Sequence, residues 1–125
     1  RWGIHSTWRS NKYMLRQQRG VPHVNLNPPD AAARGIHDGD TVRVFNDVGE
    51  FQAMAKVLPS LRPGTLMMDH AWEPHQFRKR LGMDEPVAGL LAPLELAGGW
   101  GHLKFGAEWD GNQLAYESSV DVAKV

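Results

Sequence analysis

The chain has 125 residues, 42% of them hydrophobic, and a formal net charge of zero with its six His neutral. That length suits one domain with a single modest core, and the balanced charge argues against a nucleic-acid partner. The lack of Cys excludes disulfides, thiolate metal sites, iron–sulfur ligation and Cys nucleophiles from this chain, and no apolar run reaches transmembrane length.

The charge is unevenly spread. Residues 1–29 hold Arg1, Arg9, Lys12, Arg16 and Arg19 and no acid, whereas all fourteen Asp and Glu residues lie from Asp30 onward. A basic arm on a neutral body suits a small anionic ligand or an acidic neighbouring surface, and a solvated basic segment has the same composition. The opening run RWGIHSTWRSNK packs aromatic, basic, hydroxyl and imidazole groups together with no initiator Met. Such a start reads as an internal stretch of a longer protein.

After this arm, His23–Asn27 reads as a short strand ending at Pro28-Pro29. PPDAAARG then predicts a short helix, with Asp30 as N-cap and Gly35 as the left-handed exit. IHDGD makes a turn, and TVRVFN is a strand in which Val42 and Val44 alternate with Thr41, Arg43 and Phe45. NDVG closes a hairpin into EFQAMAKVL, whose Phe51, Ala53, Ala55 and Val57 share one face. LRPG turns again, and TLMMD is a short apolar strand leading into HAWEPHQF. Gln76–Leu81 reads as a helical turn and EPVAGLLAPLELAGG as a loop packed on the body. The last eleven residues alternate, with Val120, Val122 and Val125 as core contacts. The sum is an all-β fold with one or two short helices, closed because so few strands must bury their edges.

Three stretches concentrate chemistry: GIHSTWRSNK, DHAWEPH and AGGWGHLKFG. Each joins a His and a Trp to Gly or other small residues. Backbone N–H groups beside Gly and Ser approach phosphate closely, Arg neutralises it with two-pronged geometry, and imidazole and indole meet a flat polar ring. Taken singly, His5, His70 and His102 are also what exposed or strand-end histidines look like, and Trp72 and Trp100 what packing residues look like. A metal centre made by this chain is disfavoured, because His70 and His75 are five apart and Pro74 would break a zincin-type helix. Ser6 lacks a nucleophile elbow, and neither a phosphate loop nor a dinucleotide fingerprint is present.

The ordered set His5-Ser6, Asn27 to Ala31, Gly35 to Val44, Gly49 and Pro63-Gly64 resembles the C-terminal cofactor-binding domain of the molybdopterin oxidoreductases, the dimethyl sulfoxide reductase family. The resemblance covers nearly the whole chain, so residues 1–125 are expected to be one domain, the C-terminal fragment of a larger catalytic subunit. It implies a six-stranded double-psi β-barrel that caps bis molybdopterin guanine dinucleotide, with molybdenum held by the cofactor and iron–sulfur clusters elsewhere in the full-length protein. WGIHST, MMxHAxE and GGxxHLxxG look like the branch containing nitrate and selenate reductases and dimethyl sulfide and ethylbenzene dehydrogenases. No His falls within 76–101, which turns the resemblance away from nitrate reductase and toward the ethylbenzene-dehydrogenase-like members.

On this resemblance His5, Ser6, Thr7, Trp8 and Arg9 form the first cofactor-binding loop, His70 with Glu73 the second, and Gly99 with His102 the third. None is expected to be catalytic or to bind metal directly, since the family's protein ligand to molybdenum lies upstream. The implied partners are the rest of the catalytic subunit and iron–sulfur and haem subunits, with no nucleic acid and no direct membrane insertion. The branch favours the bacterial periplasm, with the cytoplasm as the alternative compartment. The alternative function is a free-standing double-psi barrel, a binding or adaptor module whose basic arm docks an acidic protein surface.

Overall fold

A computed structural model of the chain describes residues 11–14, 16–17, 20–69, 72–87 and 118–125. Its framework is a sheet of four strands, β1 (His23–Leu26), β2 (Thr41–Phe45), β3 (Glu50–Val57) and β4 (Asp121–Lys124), in the order β1-β3-β2-β4. β1 runs parallel to β3, with His23 opposite Met54, while β2 pairs antiparallel with both β3 and β4. The fold is mostly sheet with short helical pieces, as the alternation of the sequence implies.

The helical pieces are a single turn, α1 (Lys12–Met14), then α2 (Pro28–Ala33), and two 3-10 turns at Pro74–Gln76 and Arg78–Arg80. At α2 the structure corrects the sequence reading. The N-cap is Asn27, and Asp30 sits inside the first turn. Proline φ is already helical and its missing N–H costs nothing at a helix start, so Pro28 and Pro29 open the helix instead of preceding it. Asp30 is then free to accept the Gly64 N–H at 2.7 Å. The exit is as expected. Gly35 takes φ +62°, and the N–H groups of Gly35 and Ile36 close on Ala32 and Ala31 at 3.1 and 2.9 Å, a Schellman ending.

Alternation places the core where period two requires it. Val42 and Val44 from β2 and Phe51, Ala53 and Ala55 from β3 are buried on one face, with Val24, Leu26, Ala31, Ile36 and Val122. Three outcomes differ from the sequence pattern. Val125 is 60% exposed, because β4 ends at Lys124 and the last residue lies beyond the sheet. TLMMD contributes only one antiparallel bridge, Met67 to Asn25, on the edge of β1. Lys79 and Arg80 adopt φ of +56° and +61°, which confines the Gln76–Leu81 region to 3-10 turns instead of one helical turn.

Candidate functional site

The second sequence cluster enters the described structure at Trp72. Its indole is 6% exposed and packs edge-on against His23, with ring centroids 6.1 Å apart. Trp72 is therefore a core residue, and an indole held this way presents little face to a ligand. Phe77, five residues on, is buried edge-on against Phe51 at 5.8 Å. The short segment between them is anchored at both ends by aromatic burial, which fixes Glu73 between two rigid points.

Glu73 is the N-cap of the first 3-10 turn, followed by Pro74. Its N–H donates to Gln76 Oε1 at 2.7 Å, and the Gln76 N–H donates back, closing a capping box. Glu73 thus shapes the turn that follows the His70 position. Of the nine site residues expected from the sequence, Glu73 is the one that is described. His5, Ser6, Thr7, Trp8, Arg9, His70, Gly99 and His102 lie outside the described residues. Among the described residues no group of three His, Asp or Glu side chains is arranged to hold a metal ion.

Described residues that flank 70–71 and 88–117 meet at one apolar cleft of about 210 Å³. Met67 and Met68 enter from the segment before His70, and Pro86 and Ser118 from the two flanks of residues 88–117. The floor is Val24, Val44 and Phe51, the sheet core itself. Beside the cleft, Asn46 at the β2–β3 hairpin donates from Nδ2 to Pro86 O at 2.7 Å and to Ser119 O at 3.1 Å. Sequence reasoning placed a turn at NDVG but assigned Asn46 no long-range contact. Its only local signal was an Asn at the first position of a tight hairpin.

β4 itself is held by charge at its first and last residues. Arg34 Nε and Nη2 reach Asp121 Oδ1 at 3.2 and 3.0 Å, and Lys124 Nζ reaches Asp40 Oδ2 at 2.8 Å. The Lys124 ammonium, then the His37 N–H, hold the Asp40 carboxyl below its ordinary value. The Val122 N–H, then the Arg34 guanidinium, do the same for Asp121.

Residues 1–92 match the family described as Molydopterin dinucleotide binding domain, and the chain belongs to it. Its similarity to individual proteins agrees. It is 60% identical over 123 residues, 98% of its length, to the dimethylsulfide dehydrogenase subunit alpha of Rhodovulum sulfidophilum. It is 45% identical over 125 residues to the chlorate reductase subunit alpha of Ideonella dechloratans. Against the respiratory nitrate reductase subunit alpha of Haloferax mediterranei the figure is 47% over 96 residues, 77% of this chain. The chain spans 14%, 14% and 10% of those three relatives. A solved structure, acetylene hydratase from Pelobacter acetylenicus, superposes with a TM-score of 0.50 at 21% identity over 56% of this chain and 10% of that one. That likeness speaks to the fold alone.

Proposed function

We propose that this domain, residues 1–125, is the C-terminal cap over molybdopterin guanine dinucleotide in the catalytic subunit of a molybdenum oxidoreductase. The observation that carries the reading is the shared cleft. The segments leading to His70 and flanking the Gly99–His102 stretch leave the framework from walls of one depression, so the two loops start side by side. The donor set they and the basic arm supply fits the group. Arg9, Ser6 and Thr7 are phosphate donors, His5, His70 and His102 pair with ring heteroatoms, and the Gly99 backbone allows close approach. A double-psi barrel of six strands would place all three loops on one rim, and the parallel β1–β3 pairing with β2 between them in sequence is compatible with it.

When bound as a pair, the cofactor supplies molybdenum for oxygen-atom transfer or hydroxylation. This chain's residues bind it, orient it and set its electrostatics, the protein's usual share. Hydrogen bonds from the three imidazoles to the pterins would tune the metal's potential as outer ligands do elsewhere. The reading extends to a complex in which iron–sulfur and haem subunits carry electrons, and to the group holding dimethylsulfide dehydrogenase and chlorate reductase. The ethylbenzene-type lean of the His-poor 76–101 stretch is a narrower proposal within that group. A free-standing adaptor draws no support from relatives of which this chain spans 14% or less.

The test is His70→Ala in the full-length enzyme. A lowered molybdenum content or a shifted molybdenum potential is expected. Unchanged content, potential and turnover would overturn the assignment of the second loop.

A further inference from the structure

Asn46 uses every hydrogen-bonding position it has. Oδ1 accepts the N–H groups of Val48 and Gly49 at 2.9 and 3.1 Å, and Nδ2 donates to Pro86 O and Ser119 O. An Asn amide offers two donors and two acceptor lone pairs, so the group is saturated. Its orientation is also determined. Exchanging oxygen and nitrogen would set an oxygen against two carbonyls and an NH2 against two N–H groups.

The two acceptors are far apart in sequence, 40 and 73 residues from Asn46. They stand on either side of residues 88–117, so one amide nitrogen ties together both flanks of the stretch that contains Gly99 and His102. Gly49 reinforces the clamp by shape. A Cβ there would lie 2.3 Å from the Glu85 carbonyl oxygen, closer than atoms can pack, so the hairpin backbone and the 82–86 turn touch directly. Glu85 N–H in turn bonds Gly82 O at 3.1 Å, and Val87 N–H bonds Asp84 O at 3.1 Å, which leaves that turn little room to retreat.

We infer that Asn46, with Gly49 beneath it, is the positioning residue for the third cofactor loop: the β2–β3 hairpin sets the spacing of the loop's two roots, and through them the presentation of His102. This rests on the cofactor reading above. Asn46 touches no reacting atom. Its effect reaches the cofactor only through the loop.

Asn46→Asp in the full-length holoenzyme separates the two halves of the network. The carboxylate keeps both acceptor bonds to Val48 and Gly49, so the hairpin is retained, but it loses both donors to the loop roots and sets negative charge against two carbonyls. Gly49→Ala crowds the same root without removing any hydrogen bond and serves where Asn46→Asp fails to fold. His102→Ala is the comparator. The readouts are molybdenum content, the Mo(V) resonance spectrum and the molybdenum potential, with hydrogen exchange of the β2–β3 amides as the check on the hairpin. The expected result is an approximately tenfold fall in retained molybdenum, or a Mo(V) spectrum altered in the same sense as His102→Ala, with β2–β3 protection kept. If His102→Ala changes the spectrum while both hairpin variants leave content, spectrum and potential as in the wild type, the inference is overturned and the cofactor reading stands. If all three variants are silent, the third-loop assignment fails, and the inference with it.

Discussion

β4 and the residues just before it are fastened by different physics. Near Ser119 the chain is held by a neutral amide that meets its two acceptors, and by a hairpin glycine pressed against backbone. From Asp121 to Lys124 it is held by two ion pairs whose side chains are 23–60% exposed. Neutral bonds with steric contact depend on geometry and barely on salt or pH. Exposed ion pairs are screened, weak and titratable. The segment before β4, which flanks the proposed cofactor loop, therefore has the fastening that solution conditions disturb least.

The largest effect expected belongs to neither fastening. Leu26, the last residue of β1, is fully buried, so Leu26→Ala should lower unfolding free energy by about 2–5 kcal/mol in a denaturant titration. A smaller loss would mean that the sheet repacks around the gap. Next comes the hairpin fastening. Gly49→Ala must push Glu85 away and should cost about 1–3 kcal/mol, with no change when salt is raised. A strong salt dependence would erase the contrast between the two fastenings. Asn46→Ala removes acceptor and donors together and should cost about 1–3 kcal/mol, more than Asn46→Asp costs in hairpin protection.

The smallest effects belong to the ion pairs of β4. Asp40→Asn and Asp121→Asn should lower the melting temperature slightly at neutral pH and low salt, and less as salt increases. The pH sign follows from the depressed carboxyl values. The folded state binds these protons less readily than the unfolded chain, so the stabilisation is complete above the ordinary carboxylate range. It is lost as pH falls through that range to the lowered folded values. Melting curves of wild type and variants should therefore converge on acidification. Divergence would show that these carboxylates contribute through something other than their charge.

The sequence reading recovered much of this framework, and the reasons can be seen in individual residues. Val42, Val44, Phe51, Ala53 and Ala55 were legible as one face because strand periodicity is a property of neighbours in sequence. Gly35 announced the end of α2 because left-handed φ is cheap only without a Cβ. The cap was misplaced onto Asp30 because Pro28-Pro29 signals both the end of a strand and the start of a helix, and only the carbonyl partner of Ala31 decides between them. Of the candidate site, the stretches around His70 and His102 were visible as motifs, whereas the cleft lined by their described flanks was not. Trp72 illustrates the limit. Its type suits a ligand platform and a core equally, and burial against His23 chose the core.

By itself the sequence determined strand faces, turn positions and family membership, since each is written in short-range alternation, in residues with special φ, or in an ordered set of motifs. The tertiary structure alone decided that β1 lies parallel beside β3, that Val125 is solvated, and that Asn46 joins both flanks of residues 88–117. Those contacts close loops of tens of residues, and their geometry depends on how the intervening chain packs. No local rule encodes that.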